Sequence, residues 1–388
     1  MKKLILFFVL IIITSIHSYA QWERCSKGLY RYAGIDEIVI NGNDIFAGWD
    51  GIAYLSTNNG ENWTEKANGM EGSLQTSIAI KGNNLFIGNG LHIYLSTNNG
   101  ESWTEKKSGL RGCCYTLAVK DNYVIAGTRT SGIFLSTDNG DYWIPKNSGL
   151  DDLMSLEITY FAICGNNIFA AGGGRGVYLS TDNGDSWTLK DSGLTNTYIT
   201  SLAICGNNIF AGTYDGVFLS TDSGDIWIQK NSGLTETNVY SLIINGNNLF
   251  AGTSVGIFLS TDNGDSWIEK SSGLTSNCVL SLAIKVDTIF AGTSDGVFRA
   301  KLSDLITDVK TEEKENESYI ISPNPVSDKL IIRQKNDFNS PYEIINLLGI
   351  KVLTGELSGE YTTINTSQLT QGLYFLRIGN EVRKFMKY

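Results

Sequence analysis

The chain has 388 residues, with 30 basic and 40 acidic side chains, 42 glycines and four prolines. Its net charge of −10 opposes contact with a phosphate backbone, so nucleic acid is not expected as a partner. Only two histidines are present, which excludes a His-rich metal site, and we expect no metal or cofactor. The hydrophobic content of 42% is sufficient for a core, and the length favours two or three domains.

Residues 1–20 have the pattern of a secretory signal peptide. Lys2 and Lys3 precede an unbroken apolar run at residues 4–13, which is too short to span a bilayer comfortably. The small residues Ser18 and Ala20 predict cleavage after Ala20. We therefore expect an exported protein with no transmembrane segment.

A segment of the form Ser-Thr-Asp-x-Gly-x-x-Trp recurs within residues 21–302. Copies begin at Ser136, Ser180, Ser220 and Ser260, and Asn replaces Asp in the copies that begin at Ser56 and Ser96. Each copy lies in a unit with four apolar or alternating runs separated by Gly- and Asn-rich turns. Four antiparallel strands in each unit of about 40 residues are typical of a β-propeller blade.

The ends of the repeat region give the number of blades. A seventh unit begins at Ser281 but lacks the fourth strand and its Trp. Residues 22–29 match the spacing of residues 267–274, with Trp, Gly and Leu in register. We therefore predict an all-β fold over residues 21–302, a seven-bladed β-propeller in which the N-terminal strand completes the last blade and closes the ring. Closure would remove exposed sheet edges.

The repeated motif resembles the Asp-box of BNR-type β-propellers, which include sialidases, glycan-processing enzymes, sorting receptors and photosystem assembly factors. The resemblance implies the fold and leaves the function open. In such a turn the Asp or Asn side chain can accept backbone hydrogen bonds, and the Gly supplies a positive φ. We therefore predict a structural role for the Asp-box residues Asn58, Asn98, Asp138, Asp182, Asp222 and Asp262.

The six cysteines permit disulfides in an exported protein and leave their pairing open. Cys164 and Cys205 occupy the same position in neighbouring repeats. Equivalent positions in adjacent blades are expected to exceed the Cα separation of ~7 Å that a disulfide tolerates. We therefore expect these two residues to be small buried thiols.

The repeat varies most at one rim, which combines the loops between the second and third strands (the B–C loops) with the links between blades. Seven of the eight tryptophans occupy the repeat position, and Trp49 does not. A concave aromatic face with Arg side chains suits a glycan or a peptide. The candidate ligand residues in the B–C loops are Trp49, His92, Arg129, Arg175 and Tyr214, and the links add Arg31, Tyr32, Tyr115, Tyr198 and Tyr240.

No catalytic residues are predicted. The Arg-Ile-Pro segment typical of sialidase-like propellers is absent. A glycosidase needs two carboxyl groups that flank the scissile bond, and no pair stands out among the acidic residues of this rim, which are Asp50, Asp151, Asp152, Glu157, Asp215, Glu236 and Asp295. A binding or scaffold protein is therefore the main hypothesis, and a glycan-cleaving enzyme is the alternative.

The end of the chain differs from the repeats. Residues 303–318 are charged and contain no aromatic residue, which predicts a solvated linker. Residues 319–388 then contain the run Pro323-Asn324-Pro325, a predicted strand at residues 329–333, Gly349 and a Gly-x-Tyr element that begins at Gly372.

These elements closely resemble the type A C-terminal sorting domain of the type IX (Por) secretion system. The resemblance implies a small Ig-like β-sandwich that the secretion machinery recognises at the outer membrane. It further implies that the protein is displayed on, or released from, the outer surface of a Gram-negative cell. The alternative for residues 319–388 is an ordinary β-sandwich binding module.

Overall fold

The computed structural model describes residues 21–30, 33–71, 76–150, 157–306, 319–322, 326–334, 340–346, 349–379 and 381–387. The chain divides after Ile306 into two compact units. The predicted signal peptide, with its cleavage site after Ala20, lies outside the described residues. So do residues 307–318 of the predicted linker and Arg31, Tyr32, Asp151, Asp152, Pro323, Asn324 and Pro325.

The first unit contains seven antiparallel sheets of four strands each. Its first strand, β1 (Glu23–Arg24), belongs to the last sheet. Sheet 1 contains β2 (Glu37–Asn41), β3 (Asp44–Trp49), β4 (Ile52–Ser56) and β5 (Thr64–Lys66). Sheet 2 contains β6 (Thr76–Lys81), β7 (Asn84–Asn89), β8 (Ile93–Ser96) and β9 (Thr104–Glu105). Sheet 3 contains β10 (Cys114–Lys120), β11 (Tyr123–Thr128), β12 (Ile133–Ser136) and β13 (Ile144–Pro145).

The next three sheets repeat the same order. Sheet 4 contains β14 (Ile158–Cys164), β15 (Asn167–Gly172), β16 (Gly176–Ser180) and β17 (Thr188–Leu189). Sheet 5 contains β18 (Ile199–Cys205), β19 (Asn208–Thr213), β20 (Gly216–Ser220) and β21 (Ile228–Gln229). Sheet 6 contains β22 (Val239–Asn245), β23 (Asn248–Thr253), β24 (Gly256–Ser260) and β25 (Ile268–Glu269).

Sheet 7 is assembled from both ends of the first unit. It contains β26 (Val279–Lys285), β27 (Thr288–Thr293), β28 (Gly296–Lys301) and β1, in the order β1-β28-β27-β26. In this pairing Glu23 lies opposite Arg299. The short helix α1 (Leu302–Ile306) follows β28 and buries Leu302 and Leu305. The first four residues of the segment predicted as a solvated linker are therefore helical and belong to the first unit.

The hydrophobic core lies between successive sheets. Residues 168–172, 209–213 and 249–253 of the second strands β15, β19 and β23 are buried without interruption, because a sheet lies against each of their faces. One cluster joins Phe169 of sheet 4 to Leu202 and Phe218 of sheet 5. The next cluster joins Phe210 of sheet 5 to Phe258 of sheet 6. Stacking of repeats therefore buries what a single four-stranded sheet would expose.

A series of indole hydrogen bonds, here called the tryptophan ladder, connects each sheet to the next. Each Trp Nε1 donates to a main-chain carbonyl of the neighbouring sheet at an N–O distance of 2.7–3.0 Å. Trp22 takes the seventh position in this series. The pairs are Trp22 to Lys270, Trp63 to Cys25, Trp103 to Lys66, Trp143 to Lys106, Trp187 to Lys146, Trp227 to Lys190 and Trp267 to Lys230.

The second unit contains two further sheets. A three-stranded sheet has the order β29-β30-β33, and a four-stranded sheet has the order β32-β31-β34-β35. Both sheets contribute to one hydrophobic cluster that includes Leu330, Ile344, Leu376 and Phe385. The strands are β29 (Tyr319–Ser322), β30 (Lys329–Gln334), β31 (Pro341–Asn346), β32 (Lys351–Glu356), β33 (Tyr361–Asn365), β34 (Gly372–Ile378) and β35 (Glu381–Lys387).

The cysteines differ from the expectation in one respect. All six are free thiols, and Cys25 and Cys114 are the buried ones. Cys164 and Cys205 are exposed, so the prediction that they are buried is wrong. Each is the last residue of its strand, β14 or β18, and the side chain leaves the core where the hairpin turn begins.

Candidate functional site

A cavity of about 350 Å³ opens at the rim that carries the B–C loops and the links. We call it the mouth cavity. Side chains from sheets 1, 3, 4, 5, 6 and 7 line it, and several of them interrupt the repeat. The lining residues are Asp36, Tyr115, Glu157, Thr159, Gly173, Tyr198, Ile199, Thr200, Tyr214, Tyr240 and Leu280.

Three tyrosines form one wall of the mouth cavity. The ring centroids of Tyr198 and Tyr214 are 6.2 Å apart. Those of Tyr214 and Tyr240 are 6.3 Å apart in an edge-to-face arrangement. Tyr198 precedes β18, Tyr214 lies in the B–C loop of sheet 5, and Tyr240 lies on β22, so the chain topology brings a link, a loop and a strand together. Tyr198 and Tyr214 remain 53% and 47% exposed and present aromatic surface to a ligand.

An ion pair lies beside the tyrosine wall. Arg129 Nε donates to Glu157 Oε1 at 2.8 Å, and the Arg129 guanidinium lies 5.9 Å from the ring centroid of Tyr115. The carboxylate of Glu157 therefore has a basic partner. Arg129 itself does not line the mouth cavity, but it holds two side chains that do.

Below the mouth cavity lies a cavity of about 400 Å³, the central cavity, lined by the first strands of all seven sheets. Serines at one repeat position link these strands to each other. Leu242 N donates to Ser201 Oγ at 3.0 Å, and Ile38 N of sheet 1 donates to Ser281 Oγ of sheet 7 at 2.9 Å. Such bonds satisfy main-chain groups that the cavity would otherwise leave without a partner.

Two carboxyl groups replace hydroxyl groups in this lining. Glu37 occupies the position of the serines, and Glu37 Oε2 accepts the Ile78 N–H at 2.6 Å. Asp36 occupies the adjacent position, and its Oδ2 accepts the Thr76 N–H at 3.2 Å. Burial raises the pKa of Glu37 to about 7 and the pKa of Asp36 to about 6, because desolvation disfavours the charged form. Burial also raises the pKa of Tyr160, which stands at the same repeat position as Glu37.

The raised pKa of Glu37 predicts a pH-dependent stability. The folded protein keeps a proton at pH values where the unfolded chain, with a Glu pKa near ~4.3, has lost it. Stability should therefore fall as the pH rises from about 4.3 through about 7. We expect Glu37→Gln to be more stable than the unchanged protein by about 3–4 kcal/mol at pH 8 and nearly equal to it near pH 4.

Chemical denaturation at the two pH values measures this difference. Glu65→Gln, an exposed residue on β5, is the matched control and should keep the pH dependence of the unchanged protein. A Glu37→Gln protein that gains no stability at pH 8 would contradict the buried carboxyl group.

Trp49 and His92 lie away from both cavities. Trp49 is the last residue of β3 and packs against the core of sheet 1. The ring centroids of Trp49 and Tyr30 are 5.6 Å apart. His92 Nδ1 lies 2.5 Å from Glu105 Oε1 on the outer strand β9, and its ring stacks on Tyr94. The structure therefore does not bring these two residues to the tyrosine wall.

Arg175 lies in the B–C loop of sheet 4 and lines neither cavity. Of the five B–C loop candidates, the structure places Tyr214 in the mouth cavity and Arg129 directly behind it. The sequence analysis missed Asp36, Glu37 and Tyr160. A signal for Glu37 and Tyr160 was present, because an acidic and an aromatic residue stand there at a strand position where most other repeats carry Ser or Thr.

The six predicted Asp-box turns lie on the opposite rim and share one hydrogen-bond pattern. In the third copy, Ser136 Oγ donates to Asp138 Oδ1 and accepts the Gly140 N–H. Asp138 Oδ1 also accepts the N–H of Tyr142, four residues on, at 3.0 Å. These bonds hold the pKa of Asp138 below its usual value. Equivalent bonds occur at Asn58, Asn98, Asp182, Asp222 and Asp262.

Among the residues that the structure describes, no group of three or more His, Cys, Asp or Glu side chains could hold a metal ion. Within the same residues, no helix has the length and apolar character needed to cross a membrane.

Residues 320–388 match the family model of the secretion system C-terminal sorting domain. No curated protein matches the chain. Among solved structures, the chain is similar to PorZ, an essential bacterial surface component of the type-IX secretion system of Porphyromonas gingivalis. The identity is 16%, the TM-score is 0.55, and the match covers 92% of this chain and 59% of PorZ. The chain thus spans less than two thirds of PorZ.

Two further structures match the first unit over nearly their whole length. YCF48 bound to a D1 peptide is 15% identical with a TM-score of 0.60, over 73% of this chain and 98% of YCF48. The WD40 β-propeller domain of Doa1 is 16% identical with a TM-score of 0.57, over 72% of this chain and 96% of that domain. At these identities the likeness shows the fold alone.

The sorting domain implies export by the type IX secretion system, to the cell surface or to the medium. The chain therefore joins seven four-stranded sheets with the fold of β-propellers to a C-terminal segment, residues 320–388, that matches the secretion system C-terminal sorting domain.

Proposed function

We propose that the protein is a binding or scaffold propeller, displayed on or released from the outer surface of a Gram-negative cell, that holds a peptide or a glycan in the mouth cavity. The observation that carries this proposal is the mouth cavity itself. Its tyrosine wall comes from Tyr198, Tyr214 and Tyr240, which stand where other repeats mainly carry smaller residues. A concave site with aromatic walls and a few polar groups is the usual form of a ligand site.

The proposal includes a closed seven-bladed ring of BNR type over residues 21–302. It is supported by the tryptophan ladder, in which Trp22 and Lys270 form the step between sheets 6 and 7, and Trp63 and Cys25 the step between sheets 7 and 1. It is also supported by a central cavity to which all seven first strands contribute. The hydrogen bond between Ile38 and Ser281 joins the first sheet to the last.

The proposed surface location assigns a role to each end of the chain. A signal peptide, residues 1–20, would direct export and be removed after Ala20. Residues 319–388 would form an Ig-like sandwich recognised by the type IX machinery, and their shared core between two sheets supports this. PorZ is itself a bacterial surface component of that system, and YCF48 was solved with a bound peptide.

Combined glycan and peptide arrays test the binding function. The full mature protein should bind members of one array, and Tyr214→Ala should weaken that binding by about tenfold or more, as loss of an aromatic anchor does. Tyr142→Ala is the matched control, because Tyr142 is also exposed but lies in an Asp-box turn on the opposite rim. Equal binding by Tyr214→Ala and the unchanged protein would contradict a ligand site in the mouth cavity.

A glycan-cleaving enzyme is the second candidate function. The observation in its favour is the carboxyl pair in the cavities, since a Glu with a pKa of about 7 is suited to act as a general acid. The glycans of the array should then release new reducing ends with the unchanged protein and not with Glu37→Gln. A glycan that binds through Tyr214 and is not cleaved supports the binding protein.

A further inference from the structure

The charge distribution inside the two cavities restricts the kind of ligand that they accept. Among the described residues, no Lys, Arg or His side chain lines either cavity. Of the three carboxyl groups in the lining, Glu157 is paired with Arg129. Asp36 and Glu37 instead accept main-chain N–H groups from Thr76 and Ile78. These two carboxyl groups therefore face the cavities without a cation.

Within the described part of the chain, no cation offsets the effect of burial on these two groups. Burial raises the pKa of Asp36 to about 6, and the nearby carboxyl group of Asp50 adds to this shift. Burial raises the pKa of Glu37 to about 7, and Asp36 adds to it. A cation near them would reverse these effects, because an opposite charge within a few ångströms favours the ionised form.

The tyrosine wall faces the same space. The two cavities share Asp36, Tyr115 and Tyr240 in their linings, so a group that passes the wall reaches the carboxyl groups. Aromatic ring faces attract ammonium and guanidinium groups within about 6 Å of the ring centroid. Leu280 and Ile199 provide apolar surface beside the rings, which suits the methylene stem of a long basic side chain.

We infer that the mouth cavity takes the Lys or Arg side chain of a peptide, with the stem against the tyrosine wall and the charged end directed at Asp36. This inference rests on the proposed function and names the ligand class of the same site. A peptide is favoured over a glycan because a peptide can present a cationic side chain and common neutral sugars cannot. In the lining that the described residues form, the two cavities present carboxyl groups and no basic side chain of their own. The partner is therefore a peptide segment that presents an accessible basic side chain.

The test uses the full mature protein and libraries of capped nonapeptides with random flanks. The central residue is fixed as Lys, Arg, Nε-acetyl-lysine or Glu, and binding is measured by fluorescence polarisation. We expect the Lys or Arg library to bind at least tenfold more tightly than the acetyl-lysine and Glu libraries. Asp36→Asn should remove this preference. Asp215→Asn, a matched carboxyl change on the same rim outside both cavities, should retain it.

The other outcomes separate the inference from the proposed function. If the Lys and acetyl-lysine libraries bind equally and Tyr214→Ala weakens both, the inferred recognition of a basic side chain is overturned. The proposed ligand site in the mouth cavity is then retained. If only a glycan binds and Tyr214→Ala weakens that binding, the basic peptide is likewise overturned and the ligand site is retained. If neither array binds, or if Tyr214→Ala changes nothing, both proposals are overturned. Cooperative unfolding of Asp36→Asn and Asp215→Asn at melting temperatures no lower than that of the unchanged protein excludes misfolding as the cause.

Discussion

Replacement of Trp22 by alanine should lower the free energy of unfolding by about 3–5 kcal/mol, the range for removal of a large buried aromatic side chain. Trp22 is 1% exposed and packs in one cluster with Phe250, Phe298 and Leu305. Its Nε1 also donates to Lys270 O at 2.7 Å, and the alanine variant leaves that buried carbonyl without the bond. Guanidinium denaturation of the mature protein measures the change.

Trp49→Ala is the matched control for this experiment. Trp49 is the tryptophan outside the ladder and is only partly buried, so its loss should cost clearly less stability. Deletion of residues 21–29 should have a larger effect than either substitution, because it also removes β1 from sheet 7. A deletion variant that unfolds at the same denaturant concentration as the unchanged protein would contradict the closed ring.

Truncation of the chain after Ile306 should abolish delivery to the cell surface or the medium and leave the first unit folded in the periplasm. The sorting domain lies entirely in the removed part, and the first unit has its own core between sheets. Fractionation of the producing cells, with immunodetection of the first unit in each fraction, measures the effect. We expect nearly all of the truncated protein in the periplasmic fraction.

The reciprocal fusion controls for misfolding of the truncated protein. A stable periplasmic reporter that carries residues 307–388 at its C-terminus should leave the periplasm, and the same reporter with residues 307–318 alone should stay there. Surface delivery of the truncated chain at the level of the full chain would contradict the role of the tail.

Most of the first unit could be predicted because its physics is local and repeated. In sheet 5, the apolar runs at residues 209–212 and 217–220 lie within the observed strands Asn208–Thr213 and Gly216–Ser220. The turn residues and the apolar runs indicate the same structure six times over, so an error in one copy is corrected by the others. Even the partner of β1 follows from the spacing of Trp22 in the repeat.

The site was less predictable because it depends on where side chains point after the sheets have stacked. Trp49 and Tyr214 both lie at B–C hairpins, yet one turns towards Tyr30 and the other towards Tyr240. The residue types in the two loops do not indicate in which direction each aromatic side chain points. For Cys164, repetition was misleading, because a shared position in the repeat does not say whether a strand end is covered. Glu37 shows the more useful signal, a carboxyl group at a strand position where most other repeats carry Ser or Thr.

The pairing of Glu23 with Arg299 joins positions 276 residues apart, and this separation determines when sheet 7 can form. The entropic cost of closing such a loop grows only with the logarithm of its length, by about 0.6 kcal/mol for each doubling. The separation therefore lowers the folding rate more than it lowers the stability. Until the last repeat is present, β1 has no partner, because β28 belongs to that repeat. Sheet 7 is therefore the last sheet of the first unit to be completed, and it can form only once both ends of that unit are present.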